Sequence, residues 1–492
     1  MIRRRRGLLI AALMTTAVTG TLVAAPPLPF QIAASTPAAD LDRLFDDPLL
    51  APALVAVRVV SLTDGRNLYA RNPDKLVVPA SNMKLVTVAA AASRLGWDFR
   101  FTTTLEASGT VRAGVLHGDL IVEGGGDPSI TSPDLRGAPL FDEWADALRA
   151  AGITHVDGRI VGNDDAFADE PLGAGWAWDY LSAGYAAPSG ALSYNENVAV
   201  LRVTPAPTSG LPARVDIGPP GHGLDPSVAV VTVPEGSTTT LDISRLPGTA
   251  RLAVRGQIAI DSPPVIRTAA VDNPTRYFVE ALRLSLAARG ISVSGGSWDI
   301  DDLRTPLAVG PRTFIARRTS EPLSALAGYA LKVSQNFYGE TLLKAMGAVR
   351  GVGSVERGKQ AVVTTLTDWG LPPGSLVMSD GSGLSRYNYV TADLIVGVLQ
   401  HVWNDQTLRG PYLAALPVGG HDGTLENRMR NPSLDRRVQA KTGTISNVRA
   451  LSGYLNTASG EKLAFSIIVN NTTAPGVRVD GIVDAALARL AQ

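Results

Sequence analysis

With 492 residues, 45% of them hydrophobic and 18% charged, the chain has room for two or three domains and is too apolar to be disordered. The 45 basic residues balance 45 acidic ones, and four of the basic ones are Arg3 to Arg6, so the composition offers no nucleic-acid surface. The lack of cysteine excludes disulfides, thiol catalysis and thiolate metal sites; His117, His155, His222, His401 and His421 show no metal-ligand spacing, so neither metal nor cofactor is expected.

Residues 1–25 pair a basic start with an apolar run that ends in small residues, the layout of a secretory signal peptide. An uncleaved anchor is the alternative, which Thr15, Thr16, Thr19 and Gly20 weaken. Export to a cell envelope is therefore expected, and peripheral membrane association is compatible with it. Residues 26–38, rich in Pro and Ala, read as linker, so that 1–34 comprise leader and linker start. A short helix over 40–50 and a hairpin of strands 54–62 and 67–71 around Asp64-Gly65 come next. Pro79-Ala80-Ser81-Asn82-Met83-Lys84 then opens a run, 85–95, that is apolar nearly all round, as a buried helix is. A strand pair packed on a buried helix begins an α/β or α+β domain.

From Phe101 the texture changes. Strands are predicted over 101–105 and 116–123, the second entering the turn Gly124-Gly125-Gly126-Asp127-Pro128, which has neither the dinucleotide nor the P-loop pattern. A helix over 140–151 and a strand over 152–161 complete a small α/β unit near 115–165. Residues 171–197 form an aromatic loop with Trp176, Trp178, Asp179, Tyr180, Tyr185 and Tyr194. Short strands over 197–204, 213–217, 227–234, 238–243 and 250–260 make a β-rich module, and Asn273-Pro274 starts a helix that ends at Gly290.

Glu321-Pro322 starts a helix that runs through Lys332, breaks at Val333-Ser334-Gln335-Asn336 and resumes over 337–348. Asp380 to Arg386 is a Gly/Ser loop, 394–402 a helix, and 438–444, 450–455 and 462–469 successive antiparallel strands before a last helix with Val483, Leu487 and Leu490 on one side.

Ser81 and Lys84, three apart, share a helix face, and a buried Lys84 favours its neutral form and can act as base toward the Ser81 hydroxyl. Downstream stand Ser334 and Asn336 in an interhelical break, then Lys441-Thr442-Gly443-Thr444 on a strand. S-x-x-K, S-D-N and K-T-G in this order are the signature of penicillin-binding proteins and class A β-lactamases; here the middle element is S-Q-N. In this arrangement the Ser81 and Thr444 N–H groups form an oxyanion hole. Ser334 relays a proton to the leaving nitrogen, and Asn336 fixes Lys84 and the substrate amide. Lys441 and Thr442 supply a cation and a hydroxyl for a terminal carboxylate, while Gly443 keeps the approach to the strand open.

Four more stretches extend the likeness: Asp119-Leu120 with the Gly124 to Pro128 turn, Ser189 to Asn197, Asp380 to Ser385, and Gly420-His421-Asp422-Gly423-Thr424-Leu425. From about residue 40 onward the chain resembles the class C low-molecular-mass penicillin-binding proteins, the D-alanyl-D-alanine carboxypeptidases and endopeptidases of peptidase family S13. The resemblance implies a transpeptidase/β-lactamase-like domain, an antiparallel sheet flanked by helices, built from 35–103 and 320–492 and interrupted over 104–319 by two nested β-rich inserted domains. It also implies peptidoglycan stem peptides ending in D-Ala-D-Ala as substrates and β-lactams as acylating inhibitors. By the same analogy Trp178 and Asp179, with Trp176, form a wall for the amine end of a diaminopimelate side chain whose carboxylate meets Arg386. A β-lactamase or esterase of the same superfamily, and a wall-binding scaffold that has lost catalysis, are the alternative functions.

Overall fold

The computed structural model describes residues 37–131, 139–307, 310–349 and 351–492; the expected leader and most of the linker lie outside them. Helix α1 (Pro37–Phe45) buries Leu41 and Phe45. Strands β1 (Leu54–Ser61) and β2 (Asn67–Arg71) form the expected hairpin. A 3-10 turn, Ala80–Asn82, leads into α2 (Met83–Leu95), in which every residue from Met83 to Ala92 is buried. A run without a polar face has no stable surface position, so the helix sits at the centre of the largest apolar cluster.

Strands β3 (Thr102–Arg112) and β4 (Val115–Glu123) precede α3 (Leu140–Ala150). The single strand expected over 152–161 is instead two short ones, β5 (His155–Val156) and β6 (Ile160–Asn163), both parallel to β4. The break falls at Gly158, whose N–H bonds Gly118 O and where a Cβ would lie 2.3 Å from that oxygen. Strands β7 (Val198–Thr204), β8 (Arg214–Gly218), β9 (Asp225–Val233), β10 (Thr240–Arg245), β11 (Arg251–Ala259) and β12 (Val265–Ala270) form two three-stranded sheets, β12-β7-β8 and β10-β11-β9. One apolar cluster, with Leu201, Val203, Leu252 and Val254, draws on both. Helix α4 (Pro274–Ala288), capped by the Asn273 side chain on Arg276 N–H, leads to β13 (Ser292–Val293), β14 (Ser297–Asp299) and β15 (Arg312–Thr319). These rejoin β3 to β6 in one seven-stranded sheet, so the paired small sheets lie in chain order between the strands of that sheet.

The chain then runs through α5 (Leu323–Lys332), α6 (Asn336–Ala348), α7 (Val355–Asp368), the two-residue pair β16 (Leu376–Val377) and β17 (Tyr389–Val390), α8 (Ala392–Asn404) and α9 (Gln406–Ala415). Strands β18 (Val438–Ile445), β19 (Val448–Asn456) and β20 (Lys462–Asn470) and helix α10 (Gly476–Leu490) complete it. The first and last parts of the chain meet in a five-stranded sheet, β18-β19-β20-β1-β2, antiparallel at every pairing. Its two faces follow the period of two: Ala56 and Val60 join the cluster of α2, α5, α6 and α8, while Val55, Val57 and Val59 join α1 and α10. Each fully buried Val or Leu contributes about 1.5–3 kcal/mol, which fixes the register that carries the motif residues.

Candidate active site

Three segments converge where α2 begins. Lys84 Nζ lies 3.1 Å from Ser81 Oγ, 2.6 Å from Asn336 Oδ1 and 2.9 Å from the Ser382 carbonyl oxygen. Burial holds the Lys84 amine down to about 7, against the opposing pull of the Glu340 and Asp380 carboxylates. A neutral amine has two N–H donors and one lone pair. The two carbonyl oxygens take the donors, which leaves the lone pair for the Ser81 hydroxyl proton. Asn336 is oriented at its other end, where Nδ2 donates to Tyr185 O at 2.8 Å.

Ser334 sits in the break between α5 and α6 with φ of 63°, in the left-handed region that a serine rarely adopts; Ala80, just before Ser81, has φ of 48°. Lys441 Nζ donates to Ser334 Oγ and to Thr442 O, each at 2.8 Å. It is fully buried, and burial followed by the nearby Lys84 depresses it well below the ordinary lysine range. The structure thus brings Ser81, Lys84, Ser334, Asn336 and Lys441 together, with Lys441 behind Ser334 and not on the cavity wall. Ser81, Ser334, Asn336 and Thr444 line a cavity of about 310 Å³ together with Tyr180, Tyr185 and Leu384.

The edge strand β18 borders this cavity. Its outer side is occupied as far as Ala440, through the Val418–Gln439 bridge and the Ala440 N–H to Pro417 O bond; beyond that, among the described residues, no strand pairs with it. Thr442 Oγ1 donates to Thr424 Oγ1 at 2.8 Å, which adds a second hydroxyl from the Gly420–Leu425 stretch. A Cβ on Gly443 would lie 2.8 Å from Pro79 O and 3.3 Å from Ala80 Cβ. The glycine therefore admits the backbone that leads into Ser81.

The remaining expected contacts separate. Arg386 Nη2 donates to the carbonyl of Ser446, a cavity residue, at 2.7 Å. Asp179 is exposed, and Trp178, 69% exposed, lines a neighbouring groove. Trp176 Nε1 donates to Asp380 Oδ2 at 2.8 Å.

Two carboxylates hold the Lys84 wall: Glu340, which sequence reasoning passed over, and Asp380 of the Gly/Ser loop. Glu340 accepts from the N–H groups of Gly381 (3.0 Å) and Ser382 (2.8 Å); Asp380 accepts from those of Gly383 (2.7 Å) and Ser385 (2.6 Å). They fix the loop whose Ser382 carbonyl receives Lys84. Burial, then Asp380, pushes the Glu340 carboxyl up. Glu196 accepts from Tyr329 Oη at 2.6 Å and from Gln335 Nε2, so the middle residue of S-Q-N ties the motif to the segment 170–197. Lys344, also buried, donates to Glu170 O (2.6 Å) and Ser189 O (2.9 Å) of that segment. The available signal was Glu340 and Lys344 standing four apart in a helix whose residues from Asn336 to Gly347 are all buried.

Known proteins resemble this chain over nearly its whole length. A D-alanyl-D-alanine carboxypeptidase of Actinomadura sp. is 35% identical over 497 residues, covering 96% of this chain and 90% of that protein. The crystal structure of penicillin binding protein 4 from Haemophilus influenzae superposes with a TM-score of 0.79 at 25% identity, covering 92% of this chain and 98% of the other. The same Haemophilus protein complexed with a β-lactam gives a TM-score of 0.73 at 24% identity, with coverage of 92% and 97%. The family profile described as D-Ala-D-Ala carboxypeptidase 3 (S13) matches residues 37–490, and with it the three motifs, the loops that hold them and the nested sheets all fall inside one family match: the chain belongs to the D-Ala-D-Ala carboxypeptidase 3 (S13) family.

Proposed function

We propose that this chain is an exported serine D-Ala-D-Ala carboxypeptidase that cleaves peptidoglycan stem peptides through an acyl-enzyme on Ser81 and is acylated there by β-lactams. The catalytic domain in this reading comprises 35–103 and 320–492, with 104–319 inserted. The observation that carries it is the partner set of Lys84, two carbonyl oxygens and one serine hydroxyl, which suits a neutral amine poised to take a proton. Ser81 Oγ attacks the carbonyl carbon of the penultimate D-Ala as its proton passes to Lys84 Nζ. The oxyanion is held by the N–H groups of Ser81 and Thr444. As the C–N bond breaks, Ser334, backed by Lys441, passes a proton to the leaving amine, and water then releases the acyl group. The same carbonyl chemistry serves whether that amine belongs to free D-Ala or to a cross-linked stem, so D,D-endopeptidase activity follows from one site.

Among the described residues those lining the cavity include no carboxylate to drive rapid deacylation, which favours a long-lived β-lactam adduct over a β-lactamase. The basic, apolar start of the sequence supports export, and no helix of the described residues is long and apolar enough to cross a membrane. Incubation with a penicillin and intact-mass measurement tests the proposal. A stable adduct is expected, and none on Ser81→Ala. Turnover of penicillin without an adduct would indicate a β-lactamase; neither adduct nor D-Ala release from a stem pentapeptide would indicate a scaffold.

A further inference from the structure

A second cavity, of about 750 Å³, lies beside the outward face of the sheet β10-β11-β9. Along β11, Leu252 and Val254 point into the apolar cluster between the small sheets, which leaves Arg251, Ala253 and Arg255 on the opposite face. Arg251 and Arg255, both lining the groove, stand about 13 Å apart at the strand rise. Among the described residues neither side chain takes part in a hydrogen bond or ion pair, although Asp225 and Asp242 stand opposite them in register. Arg245, which also lines the groove, is buried and bonded to Asp272 and Thr249 O, yet its Nε has no partner. The remaining wall includes the Trp178 indole, 69% exposed, and Leu246, 67% exposed.

This groove adjoins the catalytic cavity through one short turn. Trp178 lines the groove, and Tyr180, in the same 3-10 turn (Trp178–Tyr180), lines the cavity of Ser81. Guanidinium donors, a carboxylate and a hydroxyl (Asp225, Ser244) spaced around an exposed indole suit a ligand with many hydroxyls, flat C–H faces and occasional carboxylates. A flexible peptide alone would use the unpaired strand edge at β18 and would not need this surface.

We infer that the Trp178–Arg251–Arg255 groove binds the peptide-bearing glycan strand of the wall, with a sugar ring on the Trp178 indole and the two arginines on its hydroxyl and carboxylate oxygens. The groove thereby keeps the strand beside Ser81 while successive stems enter the cavity. This rests on the carboxypeptidase reading for the nature of the polymer, but its test does not depend on turnover.

The test uses the mature full-length protein and a doubly substituted Arg251→Ala/Arg255→Ala form, both exposed positions outside the catalytic machinery. Cosedimentation with purified peptide-bearing glycan strands is measured alongside hydrolysis of a free stem pentapeptide and penicillin acylation. The double substitution is expected to weaken cosedimentation about tenfold or more. Pentapeptide hydrolysis and the penicillin adduct should stay within about twofold, because no catalytic contact is touched. Trp178→Ala should weaken cosedimentation as well. Equal cosedimentation of parent and double variant would overturn the inference, as would an equal loss on glycan-linked and free peptide. Competition by a soluble polyphosphate but not by peptide-free glycan would also overturn it, marking a phosphate-polymer site. Failure of the carboxypeptidase reading shows separately, as absence of the Ser81 adduct in the parent protein.

Discussion

The two sides of the Ser81 cavity differ in how they are held. On the side of Lys84, every polar group that matters is buried and bonded: Asn336 at both ends, and the Ser382 carbonyl through a loop whose N–H groups bond Glu340 and Asp380. On the opposite rim, Tyr185 is 50% exposed and the Tyr180 ring meets it edge-on at 5.7 Å, and among the described residues no side-chain hydrogen bond fixes either ring. Burying a lysine costs several kcal/mol unless its partners are in place, so a base near neutrality demands a wall with little freedom. A rim that only contacts substrate carries no such cost and can adapt. Chemistry is held by the first wall, and choice of ligand is left to the second.

Breaking the rigid wall should have the largest effect. Lys84→Ala should slow penicillin acylation about 10³-fold, since it removes the general base; retention of more than about a tenth of the parental rate would assign the base elsewhere. In the parent, acylation should rise through pH about 7 and level off above it, because the Lys84 amine is protonated and inactive below that point. Glu340→Gln keeps the shape but loses one acceptor and the charge, and should slow acylation roughly 10- to 100-fold through displacement of the Ser382 carbonyl, with little change in KM. The acid limb should also move to lower pH, because the lost carboxylate favoured protonated Lys84. An unmoved limb would sink that assignment. Glu196→Gln should cost about 3- to 10-fold in acylation, as the Tyr329 and Gln335 bonds trade a charged acceptor for a neutral one. On the adaptable rim, Tyr185→Ala should change acylation least and act mainly on peptide KM, by a few-fold, since the Asn336 bond uses the Tyr185 carbonyl and survives the substitution. A large fall in acylation with Tyr185→Ala would erase the distinction between the two sides.

The same division decides what could be read from the sequence. Ser81, Lys84, Ser334, Asn336 and Lys441 were legible because their chemistry requires particular side chains at fixed local spacings. So were β1, β2 and α2, where alternation and an all-apolar run leave one physical solution. Glu340 and Glu196 were not, because each acts through backbone or side-chain groups distant in sequence, and a lone glutamate has no local pattern. Strand β12 was missed where exposed Ile266, Arg267 and Thr268 blur the alternation behind Pro263-Pro264. Helices α7 and α9 were missed in polar or interrupted stretches: α7 buries only Gly358, Val362, Thr365 and Leu366, and α9 carries Pro411.

The bonds that Lys344 makes to Glu170 O and Ser189 O have a consequence for anyone wishing to trim the molecule. Excising the insertion to leave a minimal enzyme would strand this buried amine beneath a newly opened surface. It would also strip Asn336 of the Tyr185 carbonyl and Gln335 of Glu196. A shortened enzyme would need an apolar residue at 344 and replacement acceptors at 335 and 336 before its motifs could hold their places. Residues 104–319, which read in the sequence like a removable cassette, supply the acceptors that hold Gln335, Asn336 and Lys344.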